Sequence, residues 1–245
     1  MRELDRTASG STPERCAIVG AGRLGHALAA ALRDAGIEVE GPLGRGAGPE
    51  AEVVILTVPD GEIRAAAEVV PDGSLVGHCS GATGLDVLGA HQGFGLHPLM
   101  TVPEGGRAPF AGAGCAVAGT TDRALQTATA LARAIGMTPV EVADEDRAAY
   151  HAAASIAANF LVTLEGQAER LAATAGVPRE LLVPLARAAL ENWAAKGAEQ
   201  ALTGPVARGD EATIARQRAA IEERAPDLLD TFDALVAASR VLAAS

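Results

Sequence analysis

Cys16-Ala17-Ile18-Val19-Gly20-Ala21-Gly22-Arg23-Leu24-Gly25 is the stretch from which the fold can be read. Residues 16–19 are apolar and long enough for a buried strand. Gly20, Gly22 and Gly25 follow with the spacing Gly-x-Gly-x-x-Gly, and residues 26–35 are rich in Ala and Leu, as a helix would be. Strand, glycine turn and helix in that order form a dinucleotide-binding fingerprint. The first glycine permits the tight turn. The second lets the backbone approach a pyrophosphate, and the third lets helix and strand pack closely. The helix N-terminus adds unpaired N–H groups for the anion. The expected cofactor contacts here are Gly20, Ala21, Gly22, Arg23, Leu24 and Gly25.

The next strand, over 37–43, bears on which dinucleotide is bound. An acid at its tip would hold the ribose 2′-hydroxyl of NAD. Glu40 lies about 20 residues past Gly20, the usual spacing, but it falls inside the strand. The tip reads Leu43-Gly44-Arg45. Arg45 there can pair with a 2′-phosphate, which favours NADP.

A third strand over 51–58 is nearly all apolar, so both its faces are expected to be buried. It ends in Thr57-Val58-Pro59-Asp60, and Val58, Pro59 and Asp60 are expected beside the nicotinamide ribose. A fourth strand, 75–78, leads into Cys79-Ser80-Gly81-Ala82-Thr83-Gly84. The small residues of that loop let a ligand sit close, which adds Ser80 and Gly81 to the cofactor candidates. Further strands are expected at 93–100, 114–118 and 138–142, with helices at 61–70 and 122–135. From about residue 144 no strand pattern remains. Helices are expected at 145–175, 179–196, 211–225 and from 227 onward, with breaks at Gly176-Val177-Pro178 and Gly204-Pro205. The expected class is α/β. A doubly wound sheet over 14–143 precedes an all-helical domain over 144–245, and residues 1–13 form a flexible tail.

The chain has 245 residues, of which 49% are apolar and only 2% aromatic, so its core must be built from Ala, Val, Leu and Ile. A formal net charge of −11 argues against nucleic acid or an anionic membrane as the main partner. An anionic ligand must be met by local positive sites, and Lys196 is the sole lysine. Cys16, Cys79 and Cys115 lie far apart without metal or redox spacing, which suits a reduced, cytoplasmic protein and no metal. No apolar run approaches the roughly 20 residues of a membrane span.

Three places could carry chemistry on a small-molecule substrate. On the helix from 145, His151, Ser155, Asn159 and Thr163 recur every four residues and so share a slowly drifting face. His97 falls near the C-terminal ends of the strands, where open α/β sheets bind ligands. With an ordinary pKa of about 6.5 it could donate a proton near neutrality. Thr203-Gly204-Pro205-Val206-Ala207-Arg208-Gly209-Asp210 offers Arg208 as a two-point carboxylate clamp with Thr203 beside it. Asp210 there reads as a helix N-cap. His78-Cys79-Ser80 is rejected as a nucleophile–base pair, because neighbours on a strand point to opposite faces.

Taken together, the pieces at 20–25, 57–60, 78–81, 95–99, 150–160 and 203–210 resemble a bacterial family of short reductase-like proteins. These pair a Rossmann-like N-terminal domain with a C-terminal domain of unknown function, and the resemblance covers about residues 14–225. The family is similar in architecture to the 6-phosphogluconate dehydrogenase-like group, which includes pyrroline-5-carboxylate reductase and ketopantoate reductase. The resemblance implies an NADPH-dependent reductase of a small carboxylate-bearing ketone, with ketopantoate as the named expectation. Enzymes of this wider group often carry Lys-x-x-x-Asn on the first interdomain helix, the Lys donating the proton. Here Asn159 matches the Asn and Ser155 stands where the Lys would be. His97, His151 or Tyr150 would then have to supply the proton, with Ser155 and Asn159 orienting the carbonyl. A cyclic imine arrives already protonated and needs no strong acid, so a cyclic-imine reductase is the alternative. An NADP(H)-binding regulator without turnover is another. The Ala-rich helical domain is expected to pair with a second copy.

Overall fold

The computed structural model describes residues 12–105 and 107–244. The expected tail therefore lies outside the described residues apart from Thr12 and Pro13. The elements in order are β1 (Arg15–Val19), α1 (Arg23–Asp34), β2 (Glu38–Leu43), β3 (Val53–Leu56), α2 (Ile63–Glu68), β4 (Leu75–His78), β5 (Gln92–Leu99), β6 (Gly114–Gly119), α3 (Asp122–Ala134), β7 (Thr138–Glu141) and α4 (Arg147–Ser155). The strands form one seven-stranded sheet in the order β2-β1-β3-β4-β5-β6-β7. All neighbours are parallel except β5 and β6. Among the described residues between β5 and β6 no helix carries the chain across the sheet. The chain therefore turns back, and β6 runs antiparallel to β5. On the other side the order reverses between β1 and β3. That reversal leaves a crevice at their C-terminal ends, which is where such sheets take ligands.

Strand alternation explains why a core poor in aromatics suffices. Cys16 and Ile18 of β1 join Ile55, Phe94, Leu96 and Val117 on one face, covered by Leu28 and Leu32 of α1 and Leu131 of α3. Ala17 and Val19 join Val54, Leu56 and Val76 on the other, covered by Ile63, Ala66 and Ala67 of α2. Each fully buried Leu or Ile contributes about 1.5–3 kcal/mol, and both sheet faces collect them.

The chain divides into two compact units, one ending at Ile156 and the other beginning at Ala157. The boundary expected at 143 is thus displaced by a whole helix. Arg147, the first residue of α4, is 2% exposed and sits against β5, so α4 packs as part of the sheet unit. After α4 a π-helical turn, Ile156–Phe160, precedes α5 (Leu161–Ala173). The expected uninterrupted α-helix over 145–175 is corrected by that turn. It closes on five residues instead of four, so the four-residue stripe does not run unchanged from His151 to Thr163.

The second unit continues with α6 (Arg179–Lys196), the short α7 (Ala198–Ala201), α8 (Glu211–Arg224) and α9 (Leu229–Ala243). Ile221, Ala225 and Leu228 form a small core, with Leu171 and Phe232 against it. Two-point ion pairs join Arg170 to Asp227 (2.6 and 2.7 Å) and Arg218 to Asp233 (3.0 Å). Neither α5 nor α6 has a buried residue. Leu181, Leu185 and Trp193 stand 66%, 69% and 56% exposed, spaced by multiples of four along α6. Among the described residues no helix is long and apolar enough to cross a membrane.

Candidate functional site

The turn after β1 is built as its glycines require. Gly20 has φ +119°, in the region that disfavours a side chain. A Cβ there would also meet the Thr57 hydroxyl at 2.6 Å. Thr57 ties the turn down: its N–H donates to the Val19 carbonyl (2.8 Å) and its hydroxyl to the Gly20 carbonyl (2.9 Å). A Cβ on Gly25 would strike the Gly20 carbonyl, so helix and strand touch there. Gly22, in contrast, faces open space, with nothing within 4 Å of where its Cβ would be. It N-caps α1 with no side-chain cap, and the first turn of α1 carries no acid. A cleft of about 610 Å³ opens over this turn, lined by Gly20, Ala21, Gly22, Arg23, Leu24, Arg45, Val58 and Pro59 among others. Eight of the expected cofactor contacts thus share one cleft. Free backbone N–H groups, no carboxylate in the first turn and two arginines at the rim fit a dinucleotide phosphate. Glu40 pairs with Arg15 at 3.2 Å inside β2 and is not at the strand tip. Arg45 is at the tip, but it already holds Glu62 at 2.6 Å.

Asp60 and Ser80 are joined directly, because the Ser80 hydroxyl donates to Asp60 Oδ2 at 2.8 Å. Ser80 Oγ in turn accepts from the Thr83 N–H at 3.0 Å. The ends of β3 and β4 are thereby fastened to each other. His78, fully buried at the end of β4, accepts the Ser80 N–H on Nδ1 (3.2 Å), so its Nε2–H donates to the Gly84 carbonyl at 3.2 Å. Burial first, and the nearby Arg147 guanidinium second, push its pKa down. The Ser80 hydroxyl bonds Asp60, and only its backbone N–H meets an imidazole nitrogen, so Ser80 and His78 are not arranged as a nucleophile and its base. The thiols are inert as well: all three are buried, which pushes Cys16 up to about 11, Cys79 up to about 12 and Cys115 higher still.

Gly81 lies under a cluster of rings. A Cβ on it would meet His151 Cδ2 at 2.7 Å, His97 Cε1 at 2.8 Å and His97 Nε2 at 2.9 Å. His97 Nδ1 and the Tyr150 hydroxyl are 2.8 Å apart, and the His97 and His151 ring centroids are 6.1 Å apart. The structure therefore brings the expected His97, His151, Tyr150 and Gly81 together.

The titration expected of His97 is corrected. Burial, then His151 and Arg147, bring its pKa down to about 4. At pH 7 about one ring in a thousand is then protonated, so the imidazolium expected as proton donor is scarcely populated. Tyr150 moves the other way, pushed up to about 12 chiefly by burial.

Arg147 went unrecognised in the sequence. Its Nε donates to Asp144 Oδ1 at 2.7 Å and its Nη1 to the Ser80 carbonyl at 3.4 Å, while Nη2 lies over Gly95. Asp144 Oδ2 accepts the Leu85 N–H at 3.1 Å. Burial raises the Asp144 pKa, but the bonds from Arg147 and Leu85 outweigh it, and the carboxyl is held below its usual range. The pair Asp144-x-x-Arg147 is the one signal the sequence gave, and it reads equally well as a surface helix pair.

Ser155 ends α4 half-buried, and Asn159 lies exposed in the π turn, its carbonyl accepting from the Thr163 hydroxyl at 3.2 Å. Thr203 and Arg208 are exposed on the loop before α8 in the second unit. That loop is folded by the Asp210 N–H donating to the Pro205 carbonyl at 2.9 Å. Asp210 caps α8 as expected, accepting the Thr213 N–H at 3.0 Å. Among the described residues no group of three or more His, Cys, Asp or Glu could hold a metal.

Residues 113–239, just over half of the chain, match the family model described as Domain of unknown function (DUF2520). The chain belongs to the DUF2520 family. A comparison with curated proteins gave no match. Among solved structures, a Bacteroides fragilis protein provisionally named an NADP oxidoreductase is similar to this DUF2520 chain, with a TM-score of 0.79 at 18% identity over 93% of this chain and 98% of that one. A Thermotoga maritima protein gives 0.77 at 24% identity over 93% and 98%. Pyrroline carboxylate reductase of Plasmodium falciparum, solved with NADP bound, gives 0.61 at 11% identity over 96% and 100%. At these identities the likeness establishes the DUF2520 chain as a Rossmann-like fold with C-terminal helices.

Proposed function

We propose that the protein is an NADPH-dependent reductase of a small substrate bearing a C=N bond and a carboxylate. The observation that carries the cofactor half is the open cradle at Gly22, over a helix N-terminus free of acids. Backbone N–H groups of Ala21, Gly22, Arg23 and Leu24 would hold the pyrophosphate, and Arg45 would exchange Glu62 for the 2′-phosphate. Val58, Pro59, Asp60, Ser80 and Gly81 are assigned to the ribose and nicotinamide end. NADPH supplies a hydride when bound. The Bacteroides fragilis and Plasmodium falciparum structures support this choice of cofactor by what their names say of them.

The substrate half turns on proton supply. Reduction of a ketone needs an acid in step with hydride arrival. His97 is neutral near pH 7 and Tyr150 holds its proton tightly, so both are poor acids, and of the three expected donors His151 alone is left. A protonated imine brings its own proton, and the likeness to a pyrroline carboxylate reductase favours the same reading. His97 and His151 are assigned to the substrate here, and Ser155, at the end of the same helix as His151, to its orientation. A ketone such as ketopantoate is thereby the less favoured substrate.

Titration with NADPH and NADH, followed by single-turnover oxidation of bound NADPH with cyclic imines and 2-keto acids, tests the proposal. Oxidation with imines alone supports it. Oxidation with keto acids alone overturns the substrate half, binding without oxidation by either points to a regulator, and no binding overturns the whole.

We also infer that a second copy of the chain covers α5 and α6. Two helices without a buried residue, one of them carrying the exposed row Leu181, Leu185 and Trp193, are left in water otherwise.

A further inference from the structure

His97 makes a single hydrogen bond among the described residues, between Nδ1 and the Tyr150 hydroxyl at 2.8 Å. The direction of that bond decides what the other nitrogen can do. A neutral imidazole has one N–H and one bare nitrogen, and a phenol hydroxyl can donate or accept. The phenol is the stronger acid of the two neutral groups, and the bare imidazole nitrogen is the stronger base. The better bond therefore runs from the Tyr150 O–H to a bare Nδ1, which leaves the hydrogen of His97 on Nε2. Nε2 has no partner among the described residues, and its edge of the ring occupies the space a Gly81 side chain would fill, 2.9 Å from that Cβ position. His151 approaches the same point, and Arg147 lies against β5 at Gly95, on the strand face that His97 shares. The groups facing His97 are thus a phenol, a second imidazole and a guanidinium, with Asp60 engaged by Ser80.

We propose that Tyr150 is a positioning residue that fixes His97 as a neutral Nε2–H donor, so that the ligand atom received beside Gly81 is a hydrogen-bond acceptor, a carboxylate or carbonyl oxygen. His97 then binds without transferring a proton. The ligand half rests on the reductase reading, and the tautomer half stands without it.

Long-range ¹H–¹⁵N NMR of the full chain at pH 7 reads the tautomer directly, with His97→Gln identifying the His97 signals. The wild-type ring is expected as Nε2–H. In Tyr150→Phe the ratio of Nε2–H to Nδ1–H is expected to fall about fivefold, the equivalent of one hydrogen bond of about 1 kcal/mol. A wild-type ring protonated on Nδ1, a charged ring, or an unchanged ratio in Tyr150→Phe overturns the proposal. Should Tyr150→Phe fail to fold, the wild-type spectrum still decides the tautomer. For the ligand half, NADPH oxidation with the imine panel compares two variants. Gln can place an amide N–H near Nε2, so His97→Gln is expected to keep KM within about tenfold, while His97→Leu raises it about ten- to a hundredfold. Equal losses overturn the donor role. If no imine is reduced, the reductase reading fails, and the tautomer result remains to judge Tyr150.

Discussion

Acidification from pH 7 to pH 5 should destabilise the sheet unit through His97 in particular. In the unfolded chain this residue titrates near 6.5, whereas in the fold it stays neutral down to about 4. Between those values the unfolded chain binds a proton that the folded chain does not, so stability is present above pH 6.5 and falls as pH drops toward 4. At about 1.36 kcal/mol per unit of difference, the loss between pH 7 and pH 5 comes to about 2 kcal/mol from His97 alone. His78 is shifted in the same direction and adds to it. Urea unfolding followed by far-ultraviolet circular dichroism at the two pH values gives the wild-type loss. The same measurement on His97→Gln, which cannot titrate, should show a loss smaller by about 2 kcal/mol. If His97→Gln loses as much stability on acidification as the wild type, then His97 is not held neutral by its surroundings, and the case against it as an acid collapses with that result.

Three further outcomes are expected. Arg45→Ala should weaken NADPH about tenfold or more while leaving NADH nearly unchanged, because a charge-assisted bond to phosphate of about 1.5–3 kcal/mol exceeds the exposed pair with Glu62 that it replaces; calorimetric titration with both nucleotides checks this, and equal effects refute it. Asp144→Ala should cost about 2 kcal/mol by leaving the buried Arg147 guanidinium without its carboxylate and the Leu85 N–H without a partner, and adding Arg147→Met should restore part of that loss. Urea midpoints for the single and double variants decide the second point, and strictly additive losses would count against the pairing. Leu185→Glu should convert a dimer into a monomer by light scattering with the circular dichroism spectrum unchanged; a wild type already monomeric would rule out the second copy.

Most of the sheet was legible because its signals are local. The apolar runs at 16–19 and 75–78 and the glycines between β1 and α1 need no distant partner to be interpreted. The antiparallel β6 was not legible, since a short apolar strand reads the same in either direction and only the missing crossover decides. The cleft over the turn after β1 was legible from Gly20, Gly22 and Gly25, whose constraints are backbone geometry. The cluster over Gly81 was legible only in part. His97 stood out by its position near a strand end, but its titration depends on burial and on His151 and Arg147, which arrive from a segment some 50 residues on. Arg147 looked like one half of a helix-surface pair, because nothing local reports that β5 leaves room for a guanidinium at Gly95. The π turn lies in an Ala-rich stretch whose composition suits either helical form.

The place of α4 in the sheet unit has a consequence for recombining this chain with relatives. A chimera joined at residue 143 would import a foreign α4, and the carbonyl of Ser80 would depend on whatever residue the donor carries at position 147. A junction after Ile156 leaves Arg147, Tyr150 and His151 with the strands they evolved against. Helical halves exchanged at that later junction should transfer whatever the second unit contributes while keeping the histidine cluster of the recipient intact.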